Sequence, residues 1–138
     1  MKTILVTGSS SGIGKSTAIK FVKAGWYVIS WGRRFKKMEA WKNNLPLTDQ
    51  KRIFIQCVDV MSASQVTEAI QLIPENFKVI DLLVNNAGLA LGKSPIHEGL
   101  IKDWEQMIDT NLKGLLYVTK VISTETVSYT HLTLPTKA

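Results

Sequence analysis

The apolar run Ile4-Leu5-Val6 leads straight into Thr7-Gly8-Ser9-Ser10-Ser11-Gly12-Ile13-Gly14, and helical spacing begins immediately afterwards. A strand that enters a helix through so short a glycine-rich turn leaves few arrangements open. The turn needs residues that accept unusual backbone angles and let the main chain approach a ligand closely, which glycine does at no steric cost. A helix starting near Ile13 aims its unpaired N–H groups and the positive end of its dipole at whatever lies over the turn. An anion is the natural occupant. Gly8, Ser9, Ser10, Ser11, Gly12, Ile13 and Gly14 are therefore candidate phosphate contacts.

Close packing of a helix on a sheet also produces clustered glycines, so spacing has to discriminate. The pattern G-x-G-x-x-G does not fit glycines at 8, 12 and 14. Gly14-Lys15-Ser16 mimics the end of a nucleoside triphosphatase loop, but that loop needs glycine where this chain has Ser9.

Beyond the turn, apolar runs and helical periodicities alternate, the sequence form of a parallel sheet with crossover helices. Residues 3 to 7 make a first strand, and Ile13, Ala18, Phe21 and Val22 share one side of a helix that Gly25 stops. Trp26 to Trp31 reads as a second strand, followed by a helix over Phe35 to Leu45 with Phe35, Met38, Trp41 and Leu45 aligned and Pro46 at its end. Arg52 to Val58 is a third strand. Ser62 or Ser64 can cap a helix carrying Val66, Ala69, Ile70 and Ile73, which Pro74 closes. Asp81 to Asn85 is a fourth strand. A long helix then carries the stripe Ile101, Trp104, Ile108, Leu112, Leu115, Val118 and Ile122 in steps of three or four. Four such strands predict the order 3-2-1-4, with a ligand crevice outside their carboxyl ends where strands one and four part. Gly8, Gly32, Asp59 and Asn85 fall at those ends.

At 138 residues the chain has room for one domain with a real core. Its 45 % hydrophobic and 20 % charged content is that of an ordinary globular protein, and no apolar stretch approaches the ~20 residues of a membrane span. Met1-Lys2-Thr3 enters a short strand with no secretion-type apolar region, which predicts a cytoplasmic setting. The single cysteine, Cys57, excludes an internal disulfide and reads as a small core residue of strand three. His97 and His131 have no carboxylate or cysteine partners at ligand spacing, which argues against a metal site. The net charge of +6 raises nucleic-acid binding as a further possibility. The only dense cluster is Arg33-Arg34-Phe35-Lys36-Lys37, without the alternation of aromatic and basic residues that base stacking needs. No nucleic-acid or membrane partner is expected.

The turn fits T-G-x-x-x-G-x-G, and three more motifs follow in order: Asp59-Val60 closing strand three, Asn85-Asn86-Ala87-Gly88 after Leu82-Leu83-Val84, and Asn111 within Asp109-Thr110-Asn111-Leu112. On these four the chain resembles the short-chain dehydrogenase/reductase family over roughly residues 1 to 122. The resemblance implies a Rossmann-type doubly wound parallel sheet of the α/β class, here incomplete because the later strands are missing. It also implies that Asp59 holds an adenine amino group, that Val60 flanks the ring, and that Asn86, Ala87 and Gly88 line a nicotinamide ribose. Asp59 as a plain strand-end turn residue is the alternative. Trp31 is either near the adenine or an ordinary core residue.

Cofactor choice is legible at the end of strand two. An acidic residue about twenty positions after the glycine turn binds the 2′-hydroxyl of NAD, whereas cations there accept the 2′-phosphate of NADP. Ser30-Trp31-Gly32-Arg33-Arg34 fills the acidic slot with glycine and follows it with two guanidinium groups. NADP is predicted, with Arg33 and Arg34 as its 2′-phosphate ligands. Cations are mildly unfavourable at a helix amino end, which favours a ligand role over a solvated helix start.

Members of the family use a tyrosine as proton donor or acceptor, a lysine four residues later, a serine that orients the carbonyl, and a helical asparagine that supports a proton-relay water. A phenol titrating near pH 10 needs such neighbours to work as an acid or base. Asn111 matches the asparagine. Tyr117 is followed four residues on by Val121 and Tyr129 by Thr133, so Y-x-x-x-K is absent, and no strand carrying the serine follows Ile122. From Ser123 the stripe gives way to a threonine-rich tail, and residues 127 to 138, VSYTHLTLPTKA, resemble translated sequencing-adaptor read-through.

The expectation is thus an NADP-binding unit over residues 1–122 with a tail over 123–138 foreign to it. Residues 85–92 and 103–111 are most similar to the family's branch that oxidises 3-hydroxy acids, including serine and allo-threonine. The resemblance implies an oxidoreductase moving hydride between the nicotinamide and a small hydroxy acid or carbonyl substrate, tetrameric in its full-length form. The chain as written is expected to be inactive. A non-catalytic NADP-binding module or sensor is the alternative.

Overall fold

The computed structural model describes residues 1–88 and 98–125, with backbone only for 109–110 and 123–125. Four strands, β1 (Thr3–Thr7), β2 (Tyr27–Gly32), β3 (Ile53–Cys57) and β4 (Leu82–Val84), form a parallel sheet in the order β3-β2-β1-β4. This is the expected order, and the register is continuous: Leu5 pairs with Ile29 on one side and Leu83 on the other, and Ile29 with Phe54. Every residue of β1 is buried, as a central strand covered on both faces requires.

Side chains alternate across the sheet and build two cores. Leu5, Ile29, Trp31 and Leu83 meet α4 (Ala63–Gln71) through Val66, Ala69 and Ile70 and α6 (Gly114–Glu125) through Val118 and Ile122. On the opposite face Ile4, Val6 and Val28 meet α1 (Gly12–Lys23) through Ala18 and Val22 and α2 (Phe35–Asn43) through Met38 and Trp41. Trp31 is fully buried, its indole N–H donating to Gln56 Oε1 at 2.7 Å, so it is a core residue and does not face a ligand.

The helix limits follow local chemistry. The Ser62 hydroxyl accepts from Gln65 N–H at 3.3 Å and caps α4, and Pro74 precedes a 3-10 turn at Glu75–Phe77. A short helix absent from the sequence reading, α3 (Leu47–Gln50), starts after Pro46, and an ion pair of 2.6 Å between Arg52 and Asp49 closes it onto β3. Three expectations need correction. Ile13 does not join the core side of α1 but is 67 % exposed. Cys57 is exposed as well, because it ends an edge strand beyond the cover of α4. The long helix is not continuous: α5 (Ile101–Ile108) passes through a π segment (Asp109–Lys113) into α6, and Ile101, Ile108 and Leu112 are exposed while Val118 and Ile122 are buried.

Val66 is fully buried between the sheet and α6. Val66→Ala removes two methyl groups from this core and is expected to cost about 2 kcal/mol in urea unfolding. A loss below about 0.5 kcal/mol would show that this face is loosely packed.

Candidate functional site

The carboxyl ends of β1 and β4 are held together by one side chain. The buried Thr7 hydroxyl accepts from the N–H groups of Asn86 and Ala87, both at 2.9 Å. The Asn86 amide in turn donates to the Gly8 carbonyl at 3.2 Å. Gly8 has φ +65°, and a Cβ there would stand 2.7 Å from Ala87 Cα, so the turn needs glycine for both angle and space. A Cβ on Gly14 would lie 2.2 Å from the Gly8 carbonyl oxygen. Its absence lets α1 press directly on the turn.

A second set of bonds ties the turn to β2. Ser9 N–H donates to the Trp31 carbonyl at 3.0 Å, and the Ser9 hydroxyl, with one proton to give, stands 3.1 Å from the same carbonyl and within hydrogen-bond distance of the Ser30 hydroxyl. The Ser30 hydroxyl lies 3.2 Å from Met38 Sδ. The Trp41 indole N–H donates to the Ser9 carbonyl at 3.0 Å. The hydroxyl of Ser9 is thus turned into the protein and is fully buried. A Cβ on Gly32 would approach Ser10 Oγ at 2.3 Å and Met38 Sδ at 3.1 Å. The slot that could have held an acid is therefore also a packing contact.

Over these turns lies a cleft of about 230 Å³, lined by Gly8, Ser10, Ser11, Gly32, Arg33, Arg34, Val58, Asp59, Val60, Asn86, Ala87 and Gly88. Ten of the fourteen sequence candidates for cofactor contact meet there: Gly8, Ser10, Ser11, Arg33, Arg34, Asp59 and Val60, together with Asn86, Ala87 and Gly88. Ser9, Gly12, Ile13 and Gly14 lie behind or beside it. Asn111 sits in the π segment away from the lining. Val58 and Gly32 line the cleft without having been singled out as contacts.

The cleft's donors suit an anion. Ser11 is the N-cap of α1, yet its side chain caps nothing; its hydroxyl accepts from Arg34 Nη2 at 3.0 Å. The first turn of α1 has no acidic residue to occupy its N–H groups. Among the described residues neither Arg33 nor Arg34 belongs to a salt bridge. Asp59 is engaged locally, its Oδ1 accepting from Met61 N–H at 3.0 Å in a turn of its own. Val60 is backed by Gly114, the first residue of α6, where a Cβ would stand 2.6 Å from Val60 Cγ2. Sequence reasoning missed Thr7, Trp41 and Gly114 as supports. Only Thr7 carried a signal, its place in the glycine motif.

Among the described residues no three His, Cys, Asp or Glu side chains are placed to hold a metal, and no helix is long and apolar enough to cross a membrane. His97, His131, Tyr129 and Thr133 lie outside the described residues.

Strand order, crevice and glycine turn together define a Rossmann-type α/β domain. The chain belongs to the short-chain dehydrogenase family, whose sequence model matches residues 2–130. It is 44 % identical over 117 residues to serine 3-dehydrogenase of Agrobacterium fabrum (strain C58), covering 85 % of this chain and 45 % of that protein. It is 40 % identical over 119 residues to the NADP-dependent 3-hydroxy acid dehydrogenase YdfG of Escherichia coli (strain K12), covering 86 % and 46 %. The fold is similar to the closed form of a serine dehydrogenase complexed with NADP+, with a TM-score of 0.80 at 39 % identity over 88 % of this chain and 48 % of that one. The chain spans about half the length of the curated relatives it matches.

The glycines give a paired test. Gly12 has φ +61° with open space around its would-be Cβ, whereas Gly8 combines positive φ with a backbone clash. Gly12→Ala is expected to cost about 1 kcal/mol and Gly8→Ala at least about 3 kcal/mol in denaturant unfolding. Equal costs would show that the contact with Ala87 relaxes freely.

Proposed function

We propose that the chain is the cofactor-binding portion of an NADP-dependent short-chain dehydrogenase that interconverts a hydroxyl and a carbonyl on a small 3-hydroxy acid. The observation that carries the NADP reading is the pair Arg33 and Arg34 at the carboxyl end of β2, beside Gly32 and bonded through Arg34 to the N-cap of α1. Two forks there suit a 2′-phosphate, and the uncapped N–H groups of α1 suit the pyrophosphate. Asp59 and Val60 would face the adenine, and Asn86, Ala87 and Gly88 the nicotinamide ribose.

When bound, the nicotinamide supplies the hydride donor or acceptor. This chain's own part is to orient it, and the Thr7 bonds fix where its floor stands. Asn111, which lies in the π segment, would support the relay water. The 3-hydroxy acid as substrate is supported by the names of the relatives, serine 3-dehydrogenase and NADP-dependent 3-hydroxy acid dehydrogenase. In this reading residues 1–122 are the dinucleotide-binding unit and 123–138 lie outside it, although the family match runs on to residue 130. By the family resemblance, the longer protein would assemble as a homotetramer.

Fluorescence titration tests the cofactor. NADPH is expected to bind at least about tenfold tighter than NADH. The double variant Arg33→Ala, Arg34→Ala should lose about a hundredfold for NADPH while NADH changes less than about threefold. Equal loss for both cofactors would remove the 2′-phosphate assignment. The 138-residue polypeptide, which lacks Y-x-x-x-K, is expected to bind NADPH without oxidising it when a 3-oxo acid is added. Measurable turnover would overturn the assignment of proton transfer to that absent pair.

A further inference from the structure

We propose that Trp41 is a positioning residue for the pyrophosphate turn, setting the orientation of the Ser9–Ser10 peptide from inside the protein; the inference rests on the NADP site proposed above. Trp41 lies on α2, is 4 % exposed, and directs its indole N–H onto the Ser9 carbonyl at 3.0 Å in a buried contact. In a planar trans peptide the carbonyl and the following N–H point in opposite directions. Holding the Ser9 carbonyl inward therefore turns the Ser10 N–H outward, on the side where Ser10 lines the cleft. The Ser9 side chain does not do this work, since its hydroxyl lies inside the protein among the Val6 and Trp31 carbonyls and the Ser30 hydroxyl.

The same helix begins directly after Arg33 and Arg34. Its buried residues Met38 and Trp41 bear on Ser30 and Ser9, beneath the glycine turn. The two phosphate-facing features, arginines and turn, are thereby referenced to one rigid element. Removing the indole donor leaves a buried carbonyl without that partner, and the peptide plane becomes free to rotate. Pre-organisation of the turn is lost while the arginines stay where they are.

Trp41→Phe keeps a ring in the core and deletes the donor. NADPH, which carries a pyrophosphate, is expected to bind about tenfold more weakly to it, whereas adenosine 2′-monophosphate, which carries only the 2′-phosphate, should bind within about twofold of the unaltered chain. In the cofactor-free protein, amide hydrogen exchange over residues 10–12 should quicken. Val66→Ala, which weakens the opposite core, should leave NADPH binding within about twofold and so separates positioning from general instability. The inference is overturned if Trp41→Phe binds NADPH within twofold of the unaltered chain, if it loses both ligands alike, or if Val66→Ala loses NADPH equally. Absence of NADPH binding by the unaltered chain would remove the site reading itself and this inference with it.

Discussion

Two backbone N–H groups at the end of β4 share one acceptor, the hydroxyl of Thr7 at the end of β1, and that junction sets where the crevice stands. Parallel neighbours in this topology diverge at their carboxyl ends because their connections leave to opposite faces of the sheet. The split exposes backbone donors that the sheet no longer satisfies, and a buried N–H without a partner costs about 1–3 kcal/mol. Thr7 answers two of them at once. The rest of the floor then follows within contact distance: Asn86 reaches the Gly8 carbonyl, Gly8 has no room for a side chain, and Gly14 brings α1 down onto the same carbonyl.

Charge placement obeys a similar economy. Two cations at the amino end of α2 work against the helix dipole by about 0.3–1 kcal/mol each. Burial of Met38 and Trp41 on that helix contributes about 1.5–3 kcal/mol apiece and outweighs the penalty. The helix is held by its apolar face, so its charged end is left available for an anion. Arg34 is further steadied by the Ser11 hydroxyl, which gives up its usual capping role in α1. Two imperfect helix starts, side by side, make one site suited to phosphate.

Periodicity made the sheet order legible, because four apolar runs separated by helical spacing admit few windings, and glycine positions marked the turn. Chemistry that depends on contacts across elements was not legible. Ser9 and Ser10 are indistinguishable in sequence, yet one hydroxyl is locked inside against Ser30 and the other residue lines the cleft. Cys57 looked like core because its strand is apolar, but at the last position of an edge strand no helix among the described residues covers it. Trp41 lay on a core stripe, and its burial was expected. That its N–H meets a carbonyl thirty-two residues earlier in the chain is a fact of packing that no local pattern encodes.

The stripe from Ile101 to Ile122 shows why a pattern in steps of three and four can still mislead. A π turn takes in one residue beyond the α-helical repeat, and one residue corresponds to about 100° of rotation. Apolar positions ahead of Asp109–Lys113 are therefore swung out of phase with those behind it. Val118 and Ile122 reach the sheet while Ile101, Ile108 and Leu112 stand exposed. The wide turn falls on the segment that holds Asn111. Such turns interrupt the regular ladder of main-chain bonds and recur at functional positions. Asn111 thus lies where the helical phase changes, and the segment is followed directly by the buried residues of α6 and by the close approach of Gly114 to Val60 at the cleft wall.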